Sequence, residues 1–292
     1  MIGLEKPSSA DPALPRLLRP AAAPVAMERA RGHARLGFDA DDGVTRLVEF
    51  FQSGSAKIRL PRVAAGAPDE AILINTAGGV TGGDHLVYEI AARAGARAVV
   101  STQAAERIYR RSAGTARIET TISVGSGARI DWLPQETILF DNSSLSRRLS
   151  VDLAGDATLL AVETIVLGRA AMGEAVRNVI VRDSWRVRRG GRLIFADGLR
   201  LDGDATAIMQ GGATGNGAIA LATLLLVSPD AESHLDRARE TLGTTLGEVG
   251  VSAWNGMLVA RFAALAGHLL RADLVKLVQS LRGAPMPRVW SL

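Results

Sequence analysis

Three segments spaced about 30 residues apart follow one pattern, and a chain with such a period buries its apolar face by stacking each copy on the next. They read IAARAGARAVVS (90–101), ISVGSGARIDWL (122–133) and VDLAGDATLLAV (151–162). Each runs through alternating apolar positions, a tight turn, an alanine and a second apolar run. The anchoring alanines are Ala96, Ala128 and Ala157. Stacked β-coils explain this pattern, and so do ordinary hairpins that share one turn chemistry. Short apolar runs at 44–51, 71–75, 86–90, 116–124, 149–153 and 176–187 are broken by Gly, Asp, Asn and Ser. Their spacing predicts a mainly β chain up to Ser228.

Helices are expected only beyond that point. Ser228-Pro229-Asp230 reads as a cap, a first-turn proline and an acid at the positive helix end. Leu235, Ala238, Leu242 and Leu246 follow at helical spacing. A second helix is expected over 264–282, on the stripe Leu270, Leu274, Leu277 and Leu281, with Gly283 and Pro285 as the stop. Between them, 249–254 and 257–262 read as strands joined by the hairpin signal Asn255-Gly256. Residues 1–26, rich in Pro and Ala, are expected to form a flexible tail, with one domain over 27–292.

The 292 residues contain no cysteine, which rules out disulfides and thiolate metal sites. The most apolar stretch, 218–227, is too short to span a bilayer. Pro15, Arg16, Arg19 and Pro20 interrupt any leader-like run. A cytoplasmic protein with no membrane attachment is therefore expected. The net charge is +4. It comes from Arg residues scattered among acids, without the clustered basic face and stacking aromatics of a nucleic-acid binder, so no nucleic-acid partner is expected.

The most unusual segment is AILINTAGGVTGGDHLVYEI (71–90). The pairs Gly78-Gly79 and Gly82-Gly83 suggest a phosphate loop. However, no Lys-Ser/Thr completes one, and the alternation of Leu86, Tyr88 and Ile90 puts a strand after the loop where a phosphate cradle needs a helix. A strand–loop–strand turn is the better reading, with Asp84 satisfying loop amides. The glycines 211–217 also precede a strand and read as a loop. Hydrolytic catalysis finds little support: His85 beside Asp84 comes with no nucleophile elbow and no HExxH. Glu163 inside LLAVETIVLG and Asp197 after LIFA are acids in apolar surroundings. Such acids either turn outward, pair with arginine or meet a cation.

The order GGVTGGD (78–84), STQAAERIYR (101–110), WLPQETILFDN (132–142), LGRAAMGE (167–174) and PRVWSL (287–292) is similar to the UreD (UreH) family of urease accessory proteins from about Met27 onward. One departure is Asn75-Thr76-Ala77, where many members carry a His-Pro-Pro-like segment. The resemblance implies a β-helical or layered-β body with two helices and no catalytic residues. It implies a chaperone-like scaffold for metallocentre assembly that binds UreF directly and UreG through UreF. This scaffold would dock on apo-urease, with a homodimer of the complex as a further expectation. It also implies transient nickel passage through an internal channel, with no tightly bound cofactor. Nickel accepts carboxylate, carbonyl and imidazole, and a delivery route must release what it binds. Asp84, Glu163, Glu174 and Asp197 lie in or beside the matching motifs and are the candidate metal route, with His85 as an outside candidate. Gly78, Gly79, Gly82 and Gly83 are the candidate structural loop. The competing reading is an adaptor that never touches metal.

Overall fold

The computed structural model describes residue 3 and residues 28–63, 67–169 and 172–291. Apart from Gly3, the expected tail at 1–26 lies outside the described residues.

The repeat is a stack of β-coils. Each coil places one strand in each of two facing sheets: β5 (His85–Ala92) leads to β6 (Arg97–Thr102), β8 (Ala116–Val124) to β9 (Arg129–Leu133), and β11 (Ser144–Leu153) to β12 (Thr158–Leu167). Equivalent strands pair in parallel, β5 with β8 and β8 with β11 in one sheet, β6 with β9 and β9 with β12 in the other. The anchoring alanines sit one above another at the turns. Arg129 N donates to Ala96 O at 2.8 Å and Thr158 N to Ala128 O at 2.9 Å. All three are essentially unexposed, which leaves no room there for a larger side chain.

Further parallel strands extend these ladders, and antiparallel strands complete both sheets. The first has seven strands, ordered β14 (Arg192–Gly203), β13 (Val179–Arg189), β11, β8, β5, β1 (Arg31–Asp41), β2 (Val44–Gly54). The second runs β16 (Glu248–Trp254), β17 (Met257–Ala264), β15 (Ala220–Val227), β12, β9, β6, β4 (Asp69–Asn75), β3 (Ala56–Arg59). Two short strands, β7 (Glu106–Ile108) and β10 (Thr137–Leu139), branch from β12.

Two layers of core follow. One fills the space between the sheets; the other lies between the second sheet and helices α2 (Leu235–Leu242) and α3 (Gly267–Arg282). Strand β12 is covered on both faces, so after Thr158 its sequence TLLAVETIVL is apolar throughout apart from Glu163 and Thr164. Strand β8 has a solvated face and alternates instead.

The helices are shorter than the periodicity suggests. The first is preceded by a 3-10 turn, Ala231–His234, and stops at Leu242 because Gly243 turns at φ 48°. Leu246 therefore lies outside it and is exposed. The second begins at Gly267, since Ala264 still belongs to β17, and ends at Gly283 (φ 62°) as expected. A six-residue helix, α1 (Ala205–Gln210), capped by Asp204, was not expected ahead of the 211–217 loop. Asn255 (φ 49°) and Gly256 (φ 73°) make the expected hairpin turn. Among the described residues, no helix is long and apolar enough to cross a membrane.

The last residues are fastened to the middle of the chain. Trp290 Nε1 donates to Leu133 O at 3.0 Å, and Gln135 Nε2 donates to Val289 O at 2.9 Å. Arg271 of α3 donates to Gln135, Glu136 and the Trp290 carbonyl, and its guanidinium lies 4.4 Å from the Trp290 ring centroid.

Candidate functional site

In a half-buried strand, residues two apart share a face. On β12, Leu159, Ala161 and Ile165 face the space between the sheets, and so does Glu163. On β11 the same phase carries Leu145, Arg147 and Leu149; on β13, Val181, Asp183 and Trp185; on β14, Phe195 and Asp197. Register then sets Arg147 beside Asp183, and Trp185 beside Asp197. Four strands thus deliver a polar group into the apolar layer.

Its centre is Arg147. The guanidinium grips Asp183 through both carboxylate oxygens, at 3.1 and 2.5 Å, reaches Glu163 at 3.2 Å, and donates to Thr137 Oγ1 at 2.9 Å. Glu163 also accepts from Trp132 Nε1 at 3.3 Å and Trp185 Nε1 at 3.0 Å. Burial opposes the Arg147 charge, but the two carboxylates more than offset it and raise its pKa. Burial likewise pushes Glu163 upward, against the pull of Arg147 and with Asp183 adding to the rise.

Arg147, Glu163, Asp183 and Trp185 line a cavity of about 440 Å³ between the sheets, together with Asp197, Glu248 and Arg261. Asp197 pairs with Arg261 at 2.8 Å. On the far side of Arg147 and Glu163 is a space of about 40 Å³, room for roughly one water-sized species. It shares Tyr88, Thr102 and Glu106 with a third cavity of about 240 Å³ beside Gly78 and Gly79. The three form a series from the β14–β17 side to the glycine-rich loop. Among the described residues, no three His, Cys, Asp or Glu side chains cluster as a ready metal cage.

The four candidate acids separate into two pairs. Glu163 and Asp197 line the same cavity. Asp84 and Glu174 are tied into loops elsewhere. Asp84 is buried and accepts from the Ala30 and Thr81 backbone amides at 2.8 and 2.7 Å. Glu174 holds Arg169 at 2.8 Å and accepts from the Asp141 amide at 3.2 Å. The Arg169 hydrogen bond, against partial burial, keeps its pKa below the usual carboxylate value. His85 reaches Glu119 at 3.1 Å on the neighbouring strand. The glycine loop packs on the ERIYR segment: Val80 and Arg107–Tyr109 exchange backbone hydrogen bonds of 2.8 Å, and Tyr109 OH donates to Gly78 O at 3.0 Å.

Sequence reading missed Arg147, Asp183, Arg261 and Glu106. The first two were open to it, because the period of two in SLSRRLSVDL and VIVRDSWRVRR puts them in phase with buried leucines and valines. Glu106 lies on a three-residue strand, too short to show a phase. Burial pushes its carboxyl from the usual 4.5 to about 7, against the opposing hydrogen bond from Asn75 and the charge of Arg107. A raised acid stabilises the fold fully below the unfolded-state value, and that contribution is lost as pH rises through the folded-state value. The stability difference between wild type and Glu106→Gln should therefore fall by about 2 kcal/mol between about pH 4.5 and 8, with partial solvent contact reducing the full effect. Urea melts across that range measure it; a flat difference overturns the assignment.

A family model described as UreD urease accessory protein matches residues 30–291. The urease accessory protein UreD of Rhizobium rhizogenes is 53% identical over 273 residues, covering 93% of this chain and 99% of that protein. That of Azorhizobium caulinodans is 49% identical over 265 residues, covering 91% and 97%. That of Agrobacterium fabrum is 47% identical over 270 residues, covering 92% and 94%.

Proposed function

Because the chain belongs to the UreD family of urease accessory proteins, we propose that it acts in urease maturation by conducting nickel between its two sheets, past Asp197, Glu163 and Glu106. The observation that carries this reading is the series of three cavities, joined at Arg147–Glu163 and at Tyr88–Thr102–Glu106, with a carboxylate in each. The chemistry suits transfer better than storage. Carboxylates spaced along a path offer an ion weak, successive oxygen ligands, where a closed cage would hold it. Arg147 is clamped by Asp183 and cannot leave, so its fixed charge keeps Glu163 from holding a divalent cation tightly. Burial favours the protonated form of Glu163, and an arriving cation would exchange for that proton.

In this proposal the partners are those the family implies: UreF in direct contact, UreG through UreF, and apo-urease as the recipient. The alternative is an adaptor without metal contact. It draws on the exposed apolar side chains Val44, Val48, Phe50 and Phe51 of the edge strand β2. One experiment separates the two. Glu163→Gln/Asp197→Asn should lower urease activation at limiting nickel by about tenfold, while UreF and apo-urease still co-purify with the variant. Full activation would end the conduit and leave the adaptor.

A further inference from the structure

The pair formed by Asp197 and Arg261 joins the two sheets at the side of the larger cavity. Asp197 is on β14, the edge strand of the seven-stranded sheet; Arg261 is on β17, the second strand of the other. Asp197 lies on the same face as Phe195, and its side chain is one-fifth exposed, against one-half for Arg261. Both line the cavity, with the carboxylate the more buried of the two and the guanidinium half in water at its mouth. Besides Asp197, Arg261 has only the Thr223 hydroxyl as a polar side-chain partner among the described residues, at 3.2 Å. Arg147, by contrast, is buried and gripped by Asp183, Glu163 and Thr137.

The charges around the cavity explain what such a movable cation would do. Glu163, Asp183, Asp197 and Glu248 face Arg147 and Arg261. Four carboxylates against two guanidiniums draw a divalent ion in, and what it must displace is the cation already seated on the carboxylate it approaches. If Arg261 turns outward as the ion enters, the local gain is one charge. An exposed ion pair costs little to break, because water takes over both partners.

We propose that Arg261 is a displaceable latch: it occupies Asp197 at the cavity mouth as a built-in counter-ion and is exchanged for an incoming divalent cation. The inference rests on the cation path proposed above and adds the step of admission. No bond is made or broken beyond the ion pair: Asp197 exchanges a guanidinium for a metal ion, and the guanidinium passes into water.

The test uses the purified full-length chain and nickel chloride alone, followed by isothermal titration calorimetry. Arg261→Gln, which leaves Asp197 free, should bind nickel about fivefold tighter than wild type, the factor expected from removing one competing surface pair. Arg261→Lys should stay near wild type. Asp197→Asn should bind more weakly, and adding Arg261→Gln to it should restore nothing. Thermal melts of all four variants confirm folding. If Arg261→Gln binds nickel no more tightly than wild type, or neither binds it measurably, the latch is wrong and Arg261 only ties the sheets together. That failure leaves the conduit standing, since the conduit is judged by urease activation in Glu163→Gln/Asp197→Asn. Full activation in that double variant rejects the conduit and with it the admission step, whatever Arg261→Gln binds.

Discussion

Arg147→Met should destabilise the protein by about 3–5 kcal/mol, the cost of stranding buried carboxylates. The side chain sits between Asp183 and Glu163, and neither has another cation within ion-pair distance among the described residues. Without the guanidinium, two acids face each other across an apolar layer and cannot both stay ionised. The loss should therefore be greater at pH 8 than at pH 5, where protonation relieves it. Arg261→Gln, whose pair is half in water, should change stability by less than about 1 kcal/mol. Urea unfolding of both variants at the two pH values measures the contrast. An Arg147→Met protein as stable as wild type would remove the polar centre from any structural role.

Gly79→Val should cost about 3 kcal/mol or leave no folded protein, from backbone strain and overpacking together. Gly79 has φ 148°, and a Cβ built there would lie 2.7 Å from Arg107 O and against the Tyr109 ring. Its neighbour Gly78 also has positive φ, at 74°, but a Cβ there meets nothing within 4 Å. Gly78→Ala should cost only about 1 kcal/mol. At Gly83, φ is 95° and the nearest atoms belong to the Arg29 side chain, which can move, so Gly83→Val should fall between the two. Denaturant melts order the three, and wild-type melting by Gly79→Val would show that this approach is not tight.

The fold was legible where one residue decided a local conformation. Asn255-Gly256 marked a hairpin because both positions need positive φ. The spacing of Ala96, Ala128 and Ala157 marked coils because each must pass under the next. What escaped was set by distance. Nothing in GEVGVSAWNG reveals that Arg261, on the strand that follows, meets Asp197 across two sheets. Glu163 stood out in the sequence as an anomaly, but its meaning depends on Arg147, Asp183 and two tryptophans from three other strands. The pair Asp84 and Glu174 looked equivalent to it, since a motif shows that an acid is present but not which amides it caps.

The anchoring of Trp290 and Val289 to Leu133 and Gln135 has a consequence for synthesis. Gln135 and Val289 are 154 positions apart in the chain. At ribosomal elongation rates, on the order of 10 s separates their appearance. Throughout that time the Leu133 carbonyl, the Gln135 amide and the outer face of the second sheet lack their final cover, because α3 and the closing segment have not yet emerged. A nascent chain of this protein therefore carries an unfinished sheet until α3 and residues 288–291 have emerged, and a chain that stopped short of them would be a body whose rungs are all present but whose last seam stays open to holdase chaperones and proteases.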